Sequence, residues 1–383
     1  MTFTREDLYQ LVWSEPLRTL AKRFGISDVA LAKRCRAANI PLPGLGYWAK
    51  KEAGKKVFQP ALPERGLGQS DSFDIGREER RSYAEEDDEL LRATLVPPKP
   101  FPDGFPEVMA RARQIVGKVR ASASLANPHP VVAKLLQEDE ERREKQKAER
   151  FPSSFYAPIF DSPFERRRLR FMNGLLLGLT RAGARVSVRG KEGQDVGVTI
   201  GDTHLGFSLG PVKPPQVTYP PKQLPANEKM MLQLGWYQPP PEIKALWTDG
   251  DGQVLEEQIQ EIAGSLFAYA EWGYRWGIQR RYEYRVERKR ELEERIRKQK
   301  GEAERKERAR IEKAAAERRD KLLAEVNAWR RTAEIRAYVD AQLARWSDAD
   351  AETVSRLHTW AEWARAEADA MDPLRAGPPT RPG

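Results

Sequence analysis

The chain has 383 residues, of which 32% are charged, with a formal net charge of +9 and a mean hydropathy of -0.70. One cysteine, Cys35, excludes an internal disulfide framework and a multi-cysteine metal site. No basic leader precedes an apolar core and no run approaches the roughly 18 apolar residues of a membrane span, so no membrane association is expected.

The N-terminal segment reads as two short helices joined by a tight turn. Ala21 supplies a small residue where helices cross, Gly25 permits the positive φ of the turn, and Leu17, Leu20, Phe24, Ile26, Leu31 and Cys35 form an apolar seam. Ser27 is the expected cap of the second helix and Asp28 complements its dipole. At about 100° per residue, Leu31, Cys35 and Ala38 share one face. Val29, Lys33, Arg36 and Ala37 lie opposite, flanked by Ala30 and Arg34. Such a small, basic face suits entry between phosphate walls, where Lys or Arg reaches guanine or phosphate oxygens. Residues 1–60 hold 11 Lys/Arg against 5 Asp/Glu, a net of +6, which concentrates most of the chain's excess charge there.

Residues 4–40 resemble the helix-turn-helix of bacterial regulators and of the resolvase or homeodomain-like class. The resemblance implies double-stranded DNA as partner and residues 27–38 as the recognition helix. On that basis Lys33 and Arg36 are expected at bases, Ser27, Arg34, Lys50 and Lys51 at phosphates, and Val29 and Ala30 on the groove-facing surface. One departure is Arg34, which stands where such units usually carry a second apolar residue. Either the helix is rotated slightly or Arg34 packs its stem and sends its guanidinium outward.

A Pro/Gly-rich arm follows, Ile40 to Lys56, with Tyr47, Trp48 and four lysines. The aromatics are expected to fold back onto the helices and the lysines to meet phosphates. This pattern, including Gly46-Tyr47-Trp48-Ala49-Lys50, is similar to the N-termini of uncharacterised bacterial proteins often associated with mobile or plasmid DNA, a resemblance that implies genomic context rather than mechanism.

Residues 59–104, rich in Pro and Gly around an acidic patch, read as a linker with one short helix near 77–93. Residues 105–126 and 130–149 read as helices of a connector ending near 150. An α+β domain is expected over 151–250. Its helix starts at the Ser162-Pro163 cap and runs to about 182. Period-two segments at 184–189, 195–200 and 203–209, separated by Gly-containing turns, predict a three-stranded antiparallel meander. Residues 211–241 contain nine prolines, and a fourth short strand is expected at 242–248.

From about residue 253 no proline interrupts the chain until Pro373, which predicts a long helix. Over 280–320 it carries 17 Lys/Arg against 11 Asp/Glu. No sustained heptad seam supports a coiled coil along its whole length, and pairs such as Glu291/Arg295 and Glu293/Arg297 suggest a solvated helix. A helical hairpin over 321–373 is expected from Leu322, Val326, Trp329, Val339 and Trp346 on one arm and Val354, Leu357, Trp360 and Trp363 on the other, with a disordered tail at 374–383. The fold class is therefore mainly α, and the C-terminal helices are expected to pair chains or hold a protein partner.

No phosphate loop, nucleophile elbow or zinc-binding His-Glu-x-x-His run occurs, and His129, His204 and His358 are isolated. No catalytic residue, metal ligand or cofactor is assigned. A metal nuclease would have only Asp195, Asp202, Glu192 and Lys191 near turns of the meander. The leading expectation is a cytoplasmic, nucleoid-associated DNA-binding protein, a transcriptional regulator or mobile-element accessory factor. Its alternative is an adaptor whose long helix spaces two protein-binding ends.

Overall fold

In the computed structural model, residues 2–75, 83–149, 156–213, 223–235, 238–250 and 252–377 are described. Helix dominates among them, and the chain divides into two units, Met1–Glu287 and Arg288–Gly383.

The first unit begins with strand β1 (Thr2–Thr4) and helices α1 (Arg5–Ser14), α2 (Leu17–Arg23), α3 (Asp28–Ala37) and α4 (Tyr47–Glu52). Thr4 and Asp7 form a reciprocal capping box that starts α1. Leu8, Tyr9, Val12 and Trp13 bury one face of α1 against Leu20, Ala21, Phe24, Leu31, Cys35 and Ala38. The α2–α3 turn is tight because Gly25 takes φ +67°, a conformation that would strain a residue bearing a Cβ. Residues 47–52 fold back onto the helices, as expected of their aromatics. They coil into α4, because Tyr47 packs edge-on to Trp13 at 5.0 Å and Trp48 edge-on to Tyr47 at 5.2 Å.

The expected linker is, over its first part, a structural strap. Strand β2 (Ser72–Asp74) pairs antiparallel with β1, Phe3 opposite Phe73, and Ile75 is buried in the core of the helices. Leu67 enters the second, larger core. Sparse apolar residues hid this role, because the strap is held chiefly by backbone groups. Residues 76–82, where the expected short helix begins, lie outside the described residues, and α5 spans Tyr83–Arg92.

The larger core joins α6 (Phe105–Val116), α7 (Pro130–Ala148), α8 (Pro163–Arg181), the sheet and the first turns of α9 (Leu255–Arg345). Helix α6 ends ten residues before the expected boundary at 126. Gly117 turns the chain at φ +60°, and the Ser122 amide then donates to the Arg170 carbonyl of α8 at 3.2 Å. The sheet is a five-stranded antiparallel meander, β3 (Arg185–Arg189), β4 (Asp195–Ile200), β5 (Thr203–Pro211), β6 (Met230–Leu234) and β7 (Leu246–Thr248), in that spatial order. The first three strands match the period-two reading, and the short last one falls within the strand expected at 242–248. Strand β6 does not, since five residues, MMLQL, flanked by a proline-rich stretch offer little alternation. Arg168 of α8 is fully buried and ties the helix to the β3–β4 turn, donating to the carbonyls of Glu192 (2.6 Å) and Gly193 (2.7 Å). At the start of α9, Asp249 accepts from the amides of Met230 (3.0 Å) and Leu255 (2.8 Å), and Arg167 clamps it at 2.8 Å and Glu256 at 2.7 Å.

In the second unit, α9 continues to Arg345 and α10 (Ala351–Met371) returns, as the apolar spacing predicts. Asp350 caps α10 by accepting from the Thr353 amide at 2.9 Å. The hairpin seam is short: Val339, Ala361 and Ala364 are buried, with Ile335, Leu343 and Trp360 packed beside them. Arg336 bridges to Asp369 and Asp372 at 2.7 Å each, and Arg365 to Asp340 at 2.7 Å. Trp329, Trp346 and Trp363 remain exposed, so these tryptophans do not belong to this seam. The expected tail is ordered at its start as a 3-10 turn, Pro373–Ala376, and its remainder from residue 378 lies outside the described residues.

Candidate nucleic-acid interface

Ser27 begins α3, its hydroxyl accepting from the Ala30 amide at 3.1 Å, while the Asp28 carboxylate accepts from the Val29 amide at 2.9 Å. Leu31 and Cys35 are fully buried. The opposite face carries Val29, 72% exposed, with Lys33, Arg36 and Ala37 exposed and Ala30 half-buried. The wheel drawn from the sequence therefore holds residue by residue. Burial pushes the Cys35 thiol up to about 11, so it packs as a protonated apolar group.

Arg34 is exposed and also has a partner within the fold. Its guanidinium donates to the backbone carbonyl of Asp74, which anchors the β2 end of the strap. This accounts for an arginine at a position where an apolar residue is usual: its exposed side chain reaches outward along the helix surface and its head group holds a distant carbonyl.

The C-terminus of α3 is closed by residues that sequence reasoning missed. Asn39 adopts φ +53°, the Asn39 amide donates to Arg36 at 3.0 Å, and the Ile40 amide donates to Cys35 at 2.8 Å. The next carbonyls are satisfied from elsewhere. Arg5, 4% exposed, donates to Ala38 at 2.7 Å and Asn39 at 2.9 Å, and Gln69 donates to Ala37 at 2.7 Å. Each of these carbonyls would otherwise be an orphan of the helix end. An isolated arginine and glutamine at such separations carry no periodic signal, so only the fold could reveal them.

The strap that presents Gln69 is itself fixed. Glu271 of α9, fully buried, accepts from the Gly68 amide at 2.9 Å and from both arms of the Arg65 guanidinium, and Arg275 donates to it at 2.7 Å. The Gly68 carbonyl accepts from the Asp202 amide at 3.0 Å and the Thr203 hydroxyl at 2.8 Å. A Cβ on Gly68 would stand 2.6 Å from the Ile200 carbonyl, so this approach requires glycine.

Lys50 and Lys51 lie exposed on α4, with the Lys51 ammonium 5.1 Å from the Trp48 ring and 5.9 Å from the Tyr47 ring. Of the carboxylates a nuclease would need, Asp202 accepts from the Ser70 amide at 2.8 Å, and no group of three metal-ligating side chains occurs among the described residues. No described helix is long and apolar enough to cross a membrane. No family model, curated protein or solved structure matches this chain.

Proposed function

We propose that the N-terminal helices bind double-stranded DNA as a helix-turn-helix, with α3 as the recognition helix, in a transcriptional regulator or mobile-element accessory factor associated with the nucleoid. The observation that carries the reading is the outward face of α3. It is small and basic at Val29, Lys33, Arg36 and Ala37, while its opposite face and its C-terminus are fully engaged by protein. A reading helix needs that division, since specificity requires a fixed orientation as well as free donors. Lys33 and Arg36 are the base-reading residues. Ser27, Arg34, Lys50 and Lys51 face phosphates, Arg34 also holding the Asp74 carbonyl.

One such unit reads only a few base pairs, so specific binding calls for paired units. The exposed Trp329, Trp346 and Trp363 of the second unit favour pairing of chains or capture of a protein partner there. The test is selection of bound fragments from a random-sequence DNA pool at physiological salt. An enriched motif that disappears with the Lys33→Ala/Arg36→Ala variant supports the reading, and a palindromic motif adds dimeric action. No enrichment, with weak binding that salt abolishes, favours the adaptor reading.

A further inference from the structure

The sheet buries Val196, Val198, Ile200, Leu205, Phe207 and Leu209 in the larger core. Period two therefore turns Asp195, Gly197, His204, Gly206 and Ser208 to the other face. There a pocket of about 490 Å³ opens, walled by Tyr269, Trp272, Gly273 and Trp276 of α9 and rimmed by Arg189, Asp195, His204, Ser208 and Gln233. A volume of this size suits one small molecule.

Three features describe the occupant. Gly197 and Gly206 are directly paired across β4 and β5; Gly197 is covered by the Ser187 hydroxyl and the His204 ring, whereas Gly206 has no described side chain above it and leaves its flat peptide group open to the pocket. The Trp272 and Trp276 rings stand 6.0 Å apart at 32°, and Tyr269 lies edge-on to Trp272 at 5.1 Å. The rim mixes a cation, a carboxylate, an imidazole within 3.2 Å of the Thr199 hydroxyl, a hydroxyl and an amide. We infer that this pocket binds a flat aromatic or heteroaromatic molecule with hydrogen-bonding groups along one edge. The ring packs among the indoles over Gly206, and the edge meets Arg189, Ser208 and Gln233.

The same pocket borders the strap. Thr203 lines it and donates to the Gly68 carbonyl, and Gly68 is one residue from Gln69, which holds the end of α3. Occupancy therefore tightens residues 66–71. A consequence for DNA rests on the function proposed above; ligand binding and strap protection do not.

The test is saturation-transfer NMR on the full chain with adenosine, indole-3-acetate and, as a non-aromatic comparison, cyclohexylacetate. Both aromatic probes, or either one, should give a saturable signal that cyclohexylacetate does not give. Gly206→Val fills the pocket where a Cβ meets only the Val196 carbonyl at 3.6 Å, and should abolish the signal with the circular dichroism unchanged. Trp276→Ala, at a side chain 37% exposed, should abolish it without relying on the sheet. Arg36→Ala should keep it, which separates this site from DNA reading. With the pocket saturated, hydrogen exchange at 66–71 should slow. Absence of signal from both aromatic probes, an equal signal from cyclohexylacetate, or a signal that survives both pocket variants overturns the site. Binding with unchanged exchange overturns the link to the strap.

Discussion

The side-chain amide of Gln69 donates to the carbonyl of Ala37 at 2.7 Å, so the last turn of α3 is closed by a residue from a different part of the unit. Gln69→Ala removes this bond from a buried position and leaves the carbonyl unpaired, at a cost of about 1–3 kcal/mol. Hydrogen exchange should accelerate at the C-terminal end of α3, whereas the amides of α8 should be unaffected. Equal acceleration in both would mean that the bond acts on the whole unit and not on the helix end.

Glu271→Ala should be more damaging, since it removes the buried carboxylate that Arg65, Arg275 and the Gly68 amide share, leaving Arg275 only Asp103 at 2.6 Å and Arg65 backbone carbonyls such as that of Gln69 at 2.7 Å. Losing one partner of a buried ionic cluster costs about 3–5 kcal/mol. Denaturant unfolding followed by circular dichroism would measure it. A loss below about 1 kcal/mol would place the cluster in the class of surface pairs.

The basic residues of the N-terminal unit should separate by role. Lys33→Ala/Arg36→Ala should remove sequence preference with helix content retained. Lys50→Ala/Lys51→Ala should weaken binding to all sequences and flatten the salt dependence of gel-shift titrations, the slope falling by about one for each phosphate no longer neutralised. Arg34→Ala should flatten the slope by about one and in addition lower thermal stability, because its guanidinium also holds the Asp74 carbonyl.

His129 gives a pH dependence of known sign. Its Nδ1 accepts from the Val131 amide at 3.2 Å to cap α7, and Nε2 lies 3.1 Å from the Thr180 hydroxyl. Burial holds its pKa below the usual value, so the folded protein resists a proton that the unfolded chain accepts. The contribution is full above about 6.5, the unfolded value, and is lost as pH falls toward the lower folded one. Unfolding midpoints should therefore drop between pH 7 and 5, less so in His129→Asn, which can still cap the helix. An identical drop in the variant would assign the effect to other groups.

Cys35 is a reporter of the same helices. Buried and with its thiol pushed up to about 11, it should react with alkylating reagents at neutral pH only as fast as the α1–α3 core opens. Labelling should accelerate in Gln69→Ala. Immediate stoichiometric labelling of the folded chain would contradict the burial of this seam.

What the sequence made legible was periodic or capped. The seam from Leu20 to Cys35, the Ser162 cap, the first three strands and the unbroken run of α9 all follow from spacing and local chemistry. Arg5, Gln69 and Glu271 were invisible because their work is long-range hydrogen bonding between single polar side chains and backbone groups, which leaves no pattern along the chain. The strap reads as linker for the same reason. Its prolines and glycines signal absence of helix, and they do not signal absence of order.

The pairing of Phe3 with Phe73 also sets a timetable for synthesis. The α1–α3 core cannot gain β2 or Ile75 until the chain has grown past Ile75. At roughly 5–20 residues per second that interval is on the order of seconds. During it the nascent helices exist without their clasp, so the surface that is to receive Ile75 stays open to chaperones.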